Sequence, residues 1–189
     1  MSATIDARTA TIRERRPSPP ARLSLTPAGR IPGLLNGAWW PHSRDLYREL
    51  PALTEVLDGR WGRITRVSVN PVHWPVVPRK VPVSGHTVHV GRFTGEQDPH
   101  TLILLSYTVG RWDLLVIPPE TDAPAAARLM SAAAAPGTLR TSSDLMADED
   151  TIREEAESRA QEEEWETEGG PAPPAGASRT GLPRSAQGR

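Results

Sequence analysis

The feature that most constrains this chain is a pair of segments near its middle that are apolar on both faces of an extended backbone. Residues 101–107 and 111–117 are joined by a connection short enough to force an antiparallel hairpin. Alternate side chains of a strand point to opposite faces, so these strands need cover on both sides. The hairpin is therefore predicted to lie at the centre of a sheet, covered by helices or by a second copy in a homodimer. The apolar residues are Leu102, Ile103, Leu104, Leu105, Leu114, Leu115, Val116 and Ile117.

The rest of the pattern predicts two helices and further strands. Leucines at helical spacing predict a helix over residues 44–58, with Ser43 as its N-cap and a kink or break at Pro51. Residues 122–135 predict a second helix, capped by Asp122. The whole indicates an α+β domain with an antiparallel sheet of about five to seven strands and two helical segments. The other strands are predicted at 23–25, 34–40, 63–70, 80–83 and 86–93, and simple alternation places Thr65, Val67 and Val69 opposite Ile64, Arg66 and Ser68.

Composition divides the chain into four parts. Its 20 prolines and 37% hydrophobic content are typical of a chain of which part does not fold. We predict a disordered lead at 1–21, a single domain at 22–140, an acidic segment with helical patterning at 141–168 and a disordered tail at 169–189.

Cysteine is absent, which excludes disulfides, thiolate metal ligands and cysteine nucleophiles. No apolar run approaches the ~20 residues of a membrane helix, and residues 1–16 contain no signal-peptide core. The expectation is a cytoplasmic protein without a membrane partner.

One motif is similar to a known family. The stretch Gly37-Ala-Trp-Trp-Pro-His-Ser-Arg-Asp-Leu46 resembles a family of short actinobacterial proteins known only as a domain of unknown function. The segments Trp61-Gly-Arg-Ile-Thr-Arg-Val67 and Asn70-Pro-Val-His-Trp-Pro75 extend the likeness, which covers roughly 22–135. The resemblance implies a single bacterial domain, and it implies no activity, cofactor or catalytic residue.

Histidines in predicted loops are the candidates for chemistry. His42, His73 and His100, together with Asp45, would form an acid/base or metal site if the fold brought them together. Asp45 alone is more simply explained by a favourable contact with the positive end of the first helix. The chain has no phosphate loop, nucleophile elbow or zinc-helix motif, so no cofactor is predicted and no metal ligand is assigned.

Tryptophan dominates the aromatic residues, with six Trp against one Phe and two Tyr. Trp39 is expected in the core with Leu35, and the adjacent Trp40 outside it or under a loop. Trp74 is expected in a loop. The ordinary interpretation is that these indoles fill the core. The alternative is that Trp40 and Trp74 form a pocket wall or a partner-binding surface.

Basic residues cluster at Arg60, Arg63 and Arg66, beside Trp61, and could form a face that contacts phosphates. No known nucleic-acid module matches, so the pattern favours a solvated basic face over a nucleic-acid partner.

These patterns lead first to a non-enzymatic cytoplasmic binding or regulatory domain, because no catalytic motif is complete. A small enzyme or metal site built from His42, Asp45, His73 and His100 is the second interpretation, and a deep pocket lined by those residues would favour it. Nucleic-acid binding through residues 60–66 is the third, and a continuous arginine surface would favour it.

Overall fold

The computed structural model describes residues 19–107 and 110–167 of the 189-residue chain. Within these residues the chain forms one seven-stranded sheet, three α-helices and a short 3-10 helix, Pro71–His73. The predicted disordered lead, apart from residues 19–21, and the predicted tail lie outside the described residues. The strands are β1 Arg22–Leu25, β2 Gly37–Trp40, β3 Ile64–Val69, β4 Lys80–Val83, β5 His86–Arg92, β6 Thr101–Ser106 and β7 Arg111–Val116, and the helices are α1 Leu46–Trp61, α2 Ala123–Ala133 and α3 Ser142–Thr167.

The strand order is β1-β2-β7-β6-β3-β5-β4, which puts the β6–β7 hairpin in the interior of the sheet. The α+β class and the number of strands are confirmed. The prediction of a purely antiparallel sheet was wrong, because β2 runs parallel to β7 and β3 runs parallel to β5. Both parallel pairs join strands that do not follow each other along the chain. Longer connections make parallel pairing possible where a tight turn would not.

Helix α1 covers one face of the sheet. Its Leu46, Leu50, Leu53 and Leu57 are fully buried, as their helical spacing predicted. They pack in one cluster with residues from six strands, which include Trp39, Val67, Val81, Val88, Leu104 and Leu114.

Helix α2 and the start of α3 cover part of the other face. Leu115 and Ile117 pack there with Ala126 and Leu129 of α2 and with Leu145 of α3. Asp122 caps α2 as predicted, accepting a hydrogen bond from the Ala125 amide at 2.9 Å. Helices of the same chain therefore cover the two-sided strand β7, and its apolar faces do not by themselves require a second copy.

The start and middle of α1 differ from the prediction. Asp45 is the N-cap and accepts from the Tyr47 amide at 2.9 Å, whereas the Ser43 hydroxyl donates to the Glu49 carboxylate at 2.7 Å. Pro51 lies inside one continuous helix instead of dividing it. The carbonyl that Pro51 cannot pair with belongs to Tyr47, an exposed residue, so water can satisfy it.

Strand β3 breaks the alternation that was predicted for it. The register against β6 shifts between Ile64 and Arg66, as at a β-bulge. As a result Ile64, Val67 and Val69 all lie in the cluster under α1. The predicted grouping of Thr65 with Val67 and of Ile64 with Arg66 was wrong, because the extra residue reverses the parity after Ile64.

The described residues divide into two compact units, with the division after residue 150. The described part of the second unit is the later part of α3, whose side chains are exposed as far as Trp165. Of the helices in the described residues, none is both long and apolar enough to cross a membrane.

Candidate functional site

Two of the predicted histidines meet. His73 ends the 3-10 helix and His100 precedes β6, and their ring centroids lie 4.6 Å apart with a tilt of 41°. The Nε2 atom of His73 and the Nδ1 atom of His100 are buried and have no hydrogen-bond partner among the described residues. The small cavity beside His73 has a volume of about 10 Å³, which is at the lower limit for one water molecule.

Burial sets the charge state of this pair. It lowers the pKa of His73, and the neighbouring His100 and Arg44 lower it further, against the opposing pull of Glu120 and Asp98. Burial also lowers the pKa of His100, although Asp98 and Asp150 oppose this. Both rings are therefore held in their neutral form near pH 7.

His42 and Asp45 have structural contacts elsewhere. The His42 amide donates to the Glu49 carboxylate at 3.0 Å, and its ring Nε2 lies 3.1 Å from the Pro20 carbonyl oxygen. Asp45 caps α1. Across the described residues, no three His, Asp or Glu side chains are grouped so that they could hold a metal ion.

The predicted tryptophans have different environments. Trp74 is buried and stacks on Trp39 with ring centroids 5.6 Å apart, so both fill the core. Trp39 is buried as expected, but Leu35 belongs to the cluster on the opposite face. Trp40 is half-buried beneath Arg22, whose guanidinium carbon lies 3.4 Å from the ring centroid.

The predicted basic residues are divided by the sheet. Arg60 lies in the last turn of α1, on the face that α1 covers. Arg66 is exposed on the opposite face, because its neighbour Val67 points into the cluster under α1.

A surface groove that the sequence did not predict lies where α1 ends. Trp61, the last residue of α1, stacks on Trp112 of β7 with ring centroids 4.4 Å apart and planes within 8° of parallel. Both indoles are half-buried, and they form one wall of a groove of about 520 Å³. The rest of the groove is lined by Leu25, Thr26, residues 27–33, Leu35, Asn36 and Arg60.

Backbone contacts hold the loop that forms the other wall. The Thr26 amide donates to the Asn36 carbonyl, and the Asn36 amide donates to Asp113, at 2.9 and 2.8 Å. Leu34 and Gly137 connect this loop to the segment after α2 through hydrogen bonds of 2.8 and 2.9 Å. Gly33 approaches that segment so closely that a β-carbon would lie 2.6 Å from the Thr138 carbonyl oxygen. The groove is thus a preformed feature.

The groove is apolar with a positive charge. Arg30 and Arg60 line it, and no acidic side chain of the described residues does so. The Thr26 hydroxyl and the Trp112 indole nitrogen are buried and lack a hydrogen-bond partner among the described residues. The excess of tryptophan was the signal in the sequence, but no spacing in it indicated that Trp61 and Trp112 would stack.

These features define a small α+β domain with a mixed sheet and an apolar groove on its surface. Residues 22–133, more than half of the chain, match a family of unknown function, DUF5994. The chain belongs to that family, which confirms the resemblance to a domain of unknown function. No curated protein and no solved structure matches the chain.

Proposed function

We propose that the chain is a non-enzymatic, cytoplasmic bacterial binding domain whose ligand occupies the groove beside Trp61 and Trp112. The stacked, half-exposed indole pair carries the proposal, since a flat apolar surface of this kind favours a planar or apolar ligand. The volume of the groove, about 520 Å³, falls within the range of roughly 300–1,000 Å³ that is typical of small-molecule sites. The absence of cysteine agrees with a cytoplasmic setting.

The charge of the groove narrows the ligand class. Arg30 and Arg60 present guanidinium groups, and no described carboxylate in the lining offsets them. Guanidinium groups bind carboxylates through charge-assisted hydrogen bonds. The ligand that fits is a small molecule with an apolar ring or chain and one anionic group.

The histidine pair supports a catalytic role less well. Its unpartnered ring nitrogens are buried, and the adjoining cavity of about 10 Å³ holds one water molecule at most.

A fluorescence titration tests the proposal. The full chain is titrated with 1-naphthoate and with its neutral amide, and quenching of tryptophan emission is recorded. Trp61→Ala should abolish or strongly weaken the binding of both probes. Arg60→Gln should weaken the binding of naphthoate by about tenfold, since a hydrogen bond to a charged group contributes about 1.5–3 kcal/mol, and should spare the amide.

The control variant is Trp165→Ala, which removes an exposed indole from the second unit. It should leave both titrations unchanged apart from the basal emission. If Trp61→Ala binds both probes as tightly as the natural chain, the groove is not the ligand site.

A further inference from the structure

In the part of the chain that the structure describes, the second face of the sheet exposes side chains of β3, β5 and β4, and we call this the open face. Helix α2 contacts β1 and β2, which lie at the opposite edge of the sheet from β4. The side chains of Arg66, Lys80, Thr87 and His89 are exposed. They point away from the cluster under α1, since the neighbouring residues Val67, Val81 and Val88 point into it.

Strand register aligns three of these residues. Lys80 pairs with His89 across β4 and β5, and His89 pairs with Arg66 across β5 and β3. Residues paired in this way lie side by side on the same face, so they form a basic row across the sheet. At ~4.8 Å per strand, the row of Lys80, His89 and Arg66 spans roughly 10 Å.

The row continues toward β7. Arg66 pairs with Leu105, and Leu105 pairs with Arg111, whose guanidinium contacts Asp113 and Gln97. Beside the row, Ser68 pairs with Gly91, which has no side chain, so the surface there is flat.

An exposed aromatic residue lies at one end of this surface. Tyr107 is 82% exposed and follows β6, and its amide donates to the Arg63 carbonyl at 3.1 Å. It comes two residues after Leu105, so strand alternation places it on the same face as the basic row. Arg63 is also exposed.

We propose that this open face, made of the basic row together with Tyr107, binds single-stranded nucleic acid. The cations Lys80 and Arg66, in line across a flat sheet, match a chain of phosphates, and an exposed ring provides a stacking surface for an unpaired base. A duplex would offer Tyr107 no unstacked base. The site shares no residue with the groove beside Trp61 and Trp112.

Fluorescence polarisation of labelled oligo(U) and oligo(dT) 15-mers with the full chain tests this proposal over 50–300 mM salt. The natural chain should bind with a salt-dependent affinity. The Arg66→Gln/Lys80→Gln variant should lower the slope of log K against log salt by about 1.4, since each phosphate contact contributes about 0.7 for single strands. Tyr107→Ala should weaken binding by roughly fivefold or more, as loss of one stacked base does.

Two controls accompany the variants. Arg48→Gln removes one positive charge from the exposed side of α1 and should leave the slope unchanged. Arg66→Lys/Lys80→Arg keeps both charges and should retain the natural slope, which separates loss of charge from loss of fold.

Three results would overturn the proposal. One is the absence of oligonucleotide binding at 50 mM salt. Another is an unchanged slope in Arg66→Gln/Lys80→Gln. The last is equal displacement by poly-glutamate of matched charge, which would assign the face to an acidic protein partner instead.

Discussion

At the scale of single residues, His73 and His100 combine burial with close mutual contact. Protonating either ring would place a cation beside the other ring, with Arg44 adding to the repulsion at His73. Glu120, Asp98 and Asp150 offset this only in part, because burial lowers the pKa of both residues. Between the folded and unfolded pKa values, these two histidines therefore bind fewer protons in the folded chain than in the unfolded chain.

The lowered pKa values of His73 and His100 make the stability of the fold depend on pH. Unfolded imidazoles titrate near pH 6.5, and these two titrate lower when folded. The free energy of unfolding should therefore fall as the pH drops below about 6.5, where the unfolded state binds more protons. Urea unfolding between pH 7.5 and 5.5 measures it. The His73→Gln/His100→Gln variant should lose part of this dependence, and an identical dependence in the variant would show that the pair does not titrate as argued.

At the scale of elements, the β6–β7 hairpin connects the two cores. Leu104 lies in the cluster under α1, and Leu115 lies in the cluster with α2. Each should cost about 2–5 kcal/mol of unfolding free energy when changed to alanine, as buried leucines do.

Chemical denaturation of the Leu104→Ala and Leu115→Ala variants measures these losses. The exposed Val76 provides the matched control, and Val76→Ala should change stability by at most about 0.5 kcal/mol. Near-neutral values for Leu104→Ala and Leu115→Ala together would contradict the central position of the hairpin.

Elements were predicted well where a local pattern decides them. The leucine spacing of α1 extends over a few consecutive helical turns, and each two-sided apolar strand is a run of consecutive residues. Both patterns can therefore be recognised in the sequence without the fold. The bulge in β3 could not be predicted from the sequence, because it depends on how Ile64 and Arg66 pair with β6. Pro51 stayed within α1 because buried leucines on both sides of it stabilise the helix against the local preference for a break.

At the scale of the whole molecule, the start of α3 belongs to the first compact unit. Leu145 is buried in the cluster with α2, and Glu149 accepts a hydrogen bond from Arg128 at 3.0 Å. Asp98 accepts a hydrogen bond from the Ser143 amide at 2.8 Å.

Truncated chains test whether the start of α3 stabilises the first compact unit. A chain of residues 19–140, close to the boundary predicted from composition, should melt at a lower temperature than one of residues 19–150. The loss of one buried leucine costs about 2–5 kcal/mol, and each kcal/mol lowers the midpoint by several degrees in a domain of this size. Equal melting temperatures would support the boundary at 140.

The sequence by itself determined the α+β class, the buried apolar residues of the β6–β7 hairpin and of α1, and the family, because each rests on local sequence patterns. Only the tertiary structure decided the parallel pairs, the contact of His73 with His100, and the stack of Trp61 on Trp112. Those features join residues 23 to 77 positions apart through strand register and packing. No periodicity encodes such pairings, since what brings the partners together is the burial of apolar surface by the chain as a whole.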